Sequence, residues 1–508
     1  MGHSLPKQAH TPRAFRRLLF GLGLGLLMTA LASCGDGSED ADDAATPATS
    51  SASSTETSPD DTTPAESDSH ELTGTFSGDV LPIIEQSCAR CHTGDGPGTN
   101  HVRMDTVADV VANADLIFAA VDTGFMPPWP ASNESIAFQD NWNISDDERD
   151  RIVQWASFDP QIDIDPATPI VANAGVRGLE QTDLVVSAVG SYDGEQYQPD
   201  EYRCFIYDPG FTDTTWVTGY DFRPDQAEVV HHLIGYLASA DDRTRAEELD
   251  AADTDQGGWS CFGGSGTGDT GIFLGWAPGQ GPTQLPDGSG MAMEAGDFFI
   301  LQIHYHYEVE APADHSTLEL QIAEASAGQL DQIQVVPFLA PAEIPCRSSE
   351  SGPLCDRDTA LASAIEKYGE QGVRADETLF FCGKTVADFA EMTDGTASST
   401  CDLPMRASGE IVSVLGHEHE LGASFRMTLN PGQPNEQVLL DIPDWRFDWQ
   451  LNYYPLETIE VQPRDIVRIE CAWDLDRRDP ELDPAYIVWA DGTDDEMCFA
   501  TVTIRETN

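Results

Sequence analysis

Five histidines and one methionine occupy four short fragments in the second half of the chain, and their order reads as two metal sites. These residues are His231, His232, His304, His417, His419 and Met497. Three imidazoles come first, and two imidazoles with a thioether follow. Soft thioether sulfur favours Cu(I), whereas protein zinc sites use nitrogen, oxygen and thiolate ligands. The ligand set therefore predicts two copper ions and redox chemistry rather than hydrolysis.

The spacing of the histidines limits which of them can share an ion. His417 and His419 are two residues apart, so on a strand both side chains point to the same face. His231 and His232 are adjacent and would point to opposite faces of a regular strand. They can bind one ion only if the strand twists locally or if one ring reaches it through Nδ1.

The third fragment contains two histidines and leaves a choice open. His304 and His306 share a strand face, so periodicity alone does not select the third ligand of the first site. A single histidine is more often a hydrogen-bonded core or surface residue than a ligand. The prediction of metal sites depends on the fragments occurring together, with Met497 and Cys498 near the end of the chain.

A separate motif precedes these fragments. The sequence CARCH has the C-x-x-C-H spacing at which two thiols, Cys88 and Cys91, can attach a c-type haem while His92 ligates the iron. A disulfide or a zinc half-site is the alternative. Met126, in the sequence GFMPPW, is the expected sixth ligand, because a thioether opposite histidine suits electron transfer. Met104 is a weaker rival that is expected to pack in a core.

The four fragments together resemble the copper type II ascorbate-dependent monooxygenases, the family of peptidylglycine α-hydroxylating monooxygenase and dopamine β-monooxygenase. The resemblance covers about residues 190–508 and rests on the HH doublet and on the LQxHY, HxHxLG and DEMC motifs. It implies that His304, rather than His306, is the third ligand of the first site. It also implies two antiparallel, jelly-roll-like β-sandwich domains with one copper each, facing each other across a solvent-filled cleft.

The same resemblance implies a division of roles. The copper bound by the HH doublet and His304 would store and pass an electron. The copper bound by the catalytic residues His417, His419 and Met497 would bind O₂ and hydroxylate a C–H bond of a small organic substrate. Electrons would come from an ascorbate-like reductant, a redox protein or the chain's own haem c. The alternative function is that of a non-enzymatic copper-binding or electron-transfer lipoprotein with the same ligands.

Two departures from the family pattern concern the substrate. Peptide-amidating members carry an arginine two residues before the HxH motif, where this chain has Leu415. They carry a tyrosine four residues after the methionine, where this chain has Thr501. Peptidylglycine amidation is therefore not expected, and we expect a more apolar substrate instead.

The start of the chain predicts export. Basic residues precede a short apolar run that ends in Leu-Ala-Ser-Cys, which resembles a bacterial lipobox with Cys34 as the lipidated residue. An ordinary signal peptide is the alternative. The apolar run is shorter than the roughly 20 residues that a membrane-spanning helix needs. The protein is thus expected to be exported and lipid-anchored to the bacterial cell envelope.

The remaining sequence predicts a multidomain protein in which a small all-α domain precedes two β-sandwich domains. The alternation and turn patterns change from helical to β-rich at about residue 185. The region of the CARCH motif resembles class I cytochrome c domains. The expected order is a signal peptide over 1–34, a disordered acidic linker over 35–74, a cytochrome c-like domain over 75–160, a linker over 161–185, and copper domains over 186–330 and 331–508, the second with a disulfide-rich insertion at about 346–401.

Charge and cysteine content limit the partners and the compartment. The chain has 26 Lys+Arg against 88 Asp+Glu, a net charge of −62, so a nucleic-acid backbone would be repelled. Of 11 cysteines, eight remain after Cys34 and the haem pair, and an even number in an exported chain predicts four disulfides. Positions in the chain favour Cys204–Cys261 and Cys471–Cys498. The other four are expected to pair among themselves: Cys346, Cys355, Cys382 and Cys401.

Overall fold

The computed structural model describes residues 74–506 except 95, 158–159, 174–177, 195–199, 254–255, 269–270, 308–311 and 325–327. Cys34 and the predicted signal peptide lie outside these residues, as does nearly all of the predicted acidic linker. The described part of the chain is mostly β-sheet with few helices, and its strands pair mainly in antiparallel fashion. None of its helices is both long and apolar enough to cross a membrane.

The N-terminal part of the described chain is helical. It contains π-helical turns at Phe76–Val80 and Ile84–Cys88 and the helices α1 Leu81–Ile83, α2 Ala89–His92, α3 Val107–Ala112, α4 Ala114–Asp122 and α5 Asp146–Ala156. Helix α5 begins at a capping box: Ser145 Oγ accepts from the Glu148 N–H at 3.3 Å, and the Glu148 carboxylate accepts from the Ser145 N–H at 2.8 Å. Helices α3 and α4 are separate, because Asn113 between them has non-helical backbone angles.

These helices share a core of their own. Phe76 and Trp155 are in ring contact at 5.2 Å, and residues of every helix join them in one apolar cluster. Ile162, Ile164 and Ile170 pack against the same cluster, so the chain stays with the helices beyond residue 160. Short 3₁₀ turns occur here and later, at Pro97–Asn100, Ala240–Asp242, Pro353–Cys355, Val386–Asp388 and Leu475–Arg477.

Ten strands follow in the middle of the chain: β1 Leu184–Ser187, β2 Asp200–Tyr207, β3 Thr215–Arg223, β4 Val230–Ala238, β5 Trp259–Ser260, β6 Ile272–Trp276, β7 Thr283–Gln284, β8 Ser289–Met293, β9 Phe298–His306 and β10 Thr317–Glu324. One sheet has the order β5-β2-β9-β4-β6, and β1-β10-β3-β8 form a second layer with β7 at its side. Tyr207 and Leu301 of the first sheet share a core with Val217 and Leu320 of the second. Helix α6, Arg243–Ala252, covers the other face of the first sheet.

The C-terminal part adds ten more strands: β11 Asp331–Leu339, β12 Glu343–Ile344, β13 Thr396–Pro404, β14 Gly409–His417, β15 Gly422–Leu429, β16 Gln437–Ile442, β17 Glu460–Val461, β18 Ile466–Asp474, β19 Ile487–Val488 and β20 Phe499–Glu506. The sheet β13-β18-β15-β16 shares a core with β11-β20-β14-β17. A short parallel pairing of β8 with β11 joins the two parts into one sheet of nine described strands.

Two helices, α7 Arg357–Tyr368 and α8 Ala375–Phe381, lie between β12 and β13. Both lie within residues 346–401, where the sequence predicted a disulfide-rich insertion, whereas α6 lies in the middle part of the chain. Only Ala246 of α6 is buried, so this helix has no apolar stripe that a sequence pattern could reveal.

The structure contains four disulfides among its described residues. Two of them are the pairs that chain position favoured, Cys204–Cys261 and Cys471–Cys498. The four cysteines of the insertion pair among themselves, as Cys346–Cys355 and Cys382–Cys401. The cysteines of the CARCH motif are both free thiols.

A buried ion pair attaches the insertion to the C-terminal part. Arg357, at the start of α7, donates to both carboxylate oxygens of Glu343 at 2.5 and 2.6 Å, and the two side chains are 10% and 0% exposed. Glu343 belongs to β12, which pairs with β19 just before the loop that leads to Met497. The position of the insertion relative to that loop therefore depends on this pair.

We expect Arg357→Met to lower the free energy of unfolding by about 3–5 kcal/mol, because it leaves the Glu343 carboxylate buried without its counter-charge. The control is Arg468→Met, which removes a similar two-bond pair with Asp402 where the side chains are 35% and 45% exposed, and which should cost less than about 1 kcal/mol. Denaturant unfolding followed by tryptophan fluorescence measures both. Equal losses would contradict this account of the pair.

Candidate metal sites

A β-bulge gives the adjacent histidines a common direction. In the pairing of β4 with β9, Val230 lies opposite Tyr305 and His232 lies opposite His304, so the register shifts by one residue at His231. Such an extra residue bends a strand and re-aims its side chains. As a result, Nδ1 of His232 lies 3.1 Å from Nδ1 of His231 and 3.4 Å from Nδ1 of His304.

This first histidine group has the geometry of a metal site. Nitrogens bound to one ion at about 2.0–2.1 Å stand roughly 3.3 Å apart in a tetrahedral arrangement. Burial lowers the pKa of all three imidazoles, that of His231 and His232 well below the usual value, so each ring is neutral and has one nitrogen lone pair that can bind a metal. Nearby lone pairs repel one another, and a bound cation removes that repulsion.

The carboxylate of Asp200, on β2, orients the first group. It accepts from Nε2 of His304 at 2.9 Å, which leaves Nδ1 of that ring free to face His232. Burial alone would raise the pKa of Asp200, but the hydrogen bonds from His304 and His306 lower it overall. His306 contacts the same carboxylate through Nδ1 at 2.9 Å, so Asp200, His304 and His306 form a second possible ligand group beside the three converging nitrogens.

The second group lies at the end of β14. Nδ1 of His417 hydrogen-bonds the side-chain oxygen of Gln450, and Nδ1 of His419 hydrogen-bonds the Asp495 carbonyl at 3.1 Å. Both rings therefore keep Nε2 for a metal. Their centroids are 5.1 Å apart, and Nε2 of His419 is buried without a hydrogen-bond partner among the described residues. Burial lowers the pKa of His417 to about 4 and that of His419 to about 3.

Met497 lies beside this second group. His417 ends β14 opposite Phe499 of β20, two residues after Met497. The Met497 side chain is buried and borders a cavity together with His417. Met497 thus lies near the second histidine pair, and its role as a metal ligand stays a prediction.

A buried carboxylate fixes the backbone around these three residues. Glu496 accepts hydrogen bonds from the backbone N–H groups of His419, Leu421 and Met497 at 2.7–3.0 Å and from the Trp473 indole at 3.1 Å. Burial raises the pKa of Glu496 to about 8, while these donors oppose the rise. Glu496 therefore joins the backbone of His419 and Leu421 to the backbone of Met497.

The two groups are neighbours. The ring centroids of His232 and His417 are 5.4 Å apart. A cavity of about 750 Å³ borders both groups and is lined by residues from the middle and the C-terminal parts of the chain. The family resemblance implied two sites that face each other across a solvent-filled cleft, whereas here an imidazole of one group contacts an imidazole of the other.

One wall of this cavity is a face of the sheet β11-β20-β14. The side chains form cross-strand rows that begin at His417, and the second row contains Leu415, Thr501 and Pro337. The complete rows are Leu339, Phe499 and His417; then Pro337, Thr501 and Leu415; then Val335, Thr503 and Ser413. None of these side chains carries a charge at neutral pH, so the surface next to the second group is apolar with isolated hydroxyls.

The CARCH residues lie in the helical part. Cys88 and Cys91 are partly exposed, and His92 is buried with Nδ1 donating to the Val102 carbonyl at 2.7 Å. This hydrogen bond leaves Nε2 of His92 free for a ligand. Met126 packs against the same apolar cluster as Cys88. Met104 is buried in that cluster, as expected of a core residue.

Several residues of these sites were not predicted. Asp200 and Gln450 hydrogen-bond the histidines, yet they stand 104 and 33 residues away from their partners and belong to no spaced motif. Phe447 stacks on His231 with ring centroids 4.2 Å apart, and it too belongs to no motif that would have indicated this contact. Glu496 is the exception, because it adjoins Met497 in the DEMC fragment.

No known protein family and no curated protein sequence matches the chain. Among solved structures it is similar to a peptide-N(4)-(N-acetyl-beta-D-glucosaminyl) asparagine amidase at 9% identity, over 64% of this chain and 96% of that one, with a TM-score of 0.21. It is similar to the infectious bursal disease virus VP2 subviral particle at 8% identity, over 66% and 74% of the chains, with a TM-score of 0.15. Allantoicase follows at 10% identity, over 66% and 85%, with a TM-score of 0.16.

The orienting hydrogen bonds can be tested separately for the two groups. We expect Asp200→Ala to weaken Cu(I) binding at the first group by about 10–100-fold, because His304 loses the partner that fixes its ring. Gln450→Ala should weaken the second group to a similar extent, so each variant is the control for the other. Competition with a chromophoric Cu(I) chelator measures both affinities. Loss of both sites in either variant would contradict independent orientation of the two groups.

Proposed function

We propose that this protein is a copper-dependent monooxygenase that hydroxylates a C–H bond of a small organic molecule with O₂. Its electrons come from an ascorbate-like reductant or from a haem c carried by its own helical domain. The observation that carries the proposal is that residues of two different ligand sets border one cavity: His232 of the first set, and His417 and Met497 of the second. The first set is His231, His232 and His304, and the second is His417, His419 and Met497.

The residues present fit two copper ions. Three neutral imidazoles converge in the first group, and two imidazoles stand beside a thioether in the second. Copper bound by these residues would supply one-electron transfer at the first group and O₂ activation at the second. The difference between the ligand sets supports different roles, because only the second set contains a weak thioether ligand and also borders the apolar wall.

The chain's own residues position and enclose the reaction. Asp200 and Gln450 hold the imidazoles by the nitrogens that do not bind metal. The contact between His232 and His417 gives an electron a short path between the two groups. The wall behind His417 keeps water away from a substrate C–H bond, because its side chains are apolar or carry a single hydroxyl.

The cavity favours an uncharged, largely apolar substrate. Leu415 and Thr501 face each other across β14 and β20 in the row next to His417 and Phe499. The charged side chains at the border of the cavity lie outside this wall: Glu370, Arg374 and Glu377 belong to the insertion, and Asp491 belongs to the loop after β19. A peptide carboxylate would have no cationic partner in the rows beside the second group.

The helical residues fit a c-type haem. Cys88 and Cys91 are free thiols at the attachment spacing, and His92 is held by its Nδ1 with the other nitrogen available. A Cβ at Gly98 would stand 2.7 Å from Cε1 of His92, so the chain passes close to the ring where only glycine fits. A haem bound here would supply single electrons, and Met126 is its expected second axial ligand.

The proposal includes export to the cell envelope with a lipid anchor at Cys34. Four disulfides among the described residues support it, because disulfides persist in oxidising compartments such as the periplasm and the cell surface. The lipobox-like sequence before Cys34 supports the anchor.

The function is tested by metal and haem analysis of the full chain, followed by O₂ uptake with a panel of C–H substrates, with and without ascorbate. We expect two copper ions, one haem and substrate-dependent O₂ uptake. Met497→Leu should abolish the uptake while the first copper stays bound, because only the second ligand set loses its sulfur. Met405→Leu, at another buried methionine, is the matched control and should remain active. Copper binding without O₂ uptake would instead support the non-enzymatic carrier.

The apolar wall makes a prediction about specificity. Leu415→Arg should lower kcat/KM for a neutral substrate relative to its carboxylate-bearing analogue by about tenfold or more, because it puts an unpaired cation into the row next to His417. Leu415→Met preserves the neutral surface and serves as control. The measurement is kcat/KM for matched neutral and carboxylate pairs. An unchanged ratio in the arginine variant would place the substrate elsewhere.

A further inference from the structure

One short segment touches the loop of the expected haem ligand and both histidine groups. It is Arg446–Gln450, with the sequence RFDWQ, which we call the bridging segment. It follows Trp445, a fully buried side chain of the C-terminal core, and its backbone is turned by a hydrogen bond from the Trp449 N–H to the Arg446 carbonyl at 3.1 Å. The turn directs neighbouring side chains to different parts of the molecule.

The outer contacts of the bridging segment reach the loop before Met126. The Trp449 ring packs on Phe125 with centroids 5.1 Å apart, and its indole N–H donates to the Phe125 carbonyl at 3.1 Å. Arg446 donates to the Thr123 carbonyl at 3.3 Å. Phe125 directly precedes Met126, so the indole is one peptide unit from the expected haem ligand.

The inner contacts of the bridging segment reach the histidines. Phe447 stacks on His231 with centroids 4.2 Å apart and planes at 18°. Gln450 accepts from Nδ1 of His417 and donates to the Phe447 carbonyl at 2.8 Å. The bridging segment thus contacts the first histidine group through the Phe447 ring and the second through the Gln450 hydrogen bond.

We propose that the bridging segment is the route by which electrons pass from the haem c to the copper sites, with Trp449 as its entry and Phe447 and Gln450 as its exits. The inference rests on the proposed function. Each passage moves one electron: ferrous haem becomes ferric, one cupric ion becomes cuprous, and no covalent bond or proton of the segment changes. Two passages supply the two electrons of one hydroxylation.

A second chain of aromatic contacts offers a rival route. Arg90, inside the CARCH motif, lies 3.9 Å from the centroid of Trp142, which contacts Trp129 at 4.5 Å, and Trp129 contacts Tyr453 at 5.1 Å. This chain ends at Tyr453, whose backbone pairs with Val414. Among the described residues, Tyr453 has no ring contact with a histidine. The bridging segment is therefore the better connected of the two.

The experiment uses the full chain loaded with haem and copper, without O₂ or substrate. A flash generates a flavin semiquinone in an amount below one equivalent per protein, so that each molecule receives at most one electron at its haem. The haem absorbance then follows the transfer of that electron to Cu(II). We expect Trp449→Leu to slow haem reoxidation about tenfold or more, and Trp449→Phe to restore most of the rate. Trp142→Leu, on the rival chain, should leave the rate unchanged. Turnover with saturating ascorbate should be unaffected in Trp449→Leu, because Trp449 does not line the cavity.

The outcomes separate the route from the function. A wild-type rate in Trp449→Leu, in protein that binds haem and copper and consumes O₂, overturns the route and leaves the monooxygenase in place. A slower rate in Trp142→Leu than in Trp449→Leu also overturns it, in favour of the rival chain. A protein without haem or without copper overturns the proposed function and the route together. Copper content and the haem spectrum of each variant check that the sites are intact.

Discussion

A neutral imidazole has one nitrogen that can bind a metal and one N–H that must be hydrogen-bonded when the ring is buried. Two of the buried rings meet this requirement with side chains from distant parts of the chain. His304 donates to the Asp200 carboxylate and His417 to the Gln450 amide oxygen, and in each ring this bond leaves the other nitrogen free for a metal. Strand β2 brings Asp200 to its ring, and the loop after β16 brings Gln450, so an N–H that burial would otherwise leave unpaired has an acceptor.

The acceptors also connect the two histidine groups mechanically. Asp200 receives a hydrogen bond from the Thr493 hydroxyl, four residues before Met497, so the carboxylate that orients the first group is attached to the loop of the second. On the other side of Met497, the disulfide Cys471–Cys498 ties the same loop to β18. The two groups lie side by side, with the His232 and His417 ring centroids 5.4 Å apart, while each ring keeps its own orienting hydrogen bond.

Local features were predictable from the sequence and distant pairings were not. The capping box at Ser145 and the spacing of His417 and His419 depend on residues within a few positions, where backbone geometry fixes the outcome. The bulge at His231 is different, because the sequence required only some local twist and the register with β9 decides where it falls. Asp200 and the bridging segment depend on strands and loops far apart in the chain, and no spacing rule connects them to the histidines.

The charge of the chain bears on how electrons enter. Ascorbate is an anion at neutral pH, and a protein of net charge −62 lowers the local concentration of small anions near its surface, most strongly at low ionic strength. The proposed haem on the same chain would avoid this repulsion, because an attached donor has a high effective concentration that does not depend on charge. It could itself be reduced by a cationic redox protein, which the same surface would attract. The acidic surface, unfavourable to ascorbate, is thus compatible with an internal route through Trp449 to the histidines.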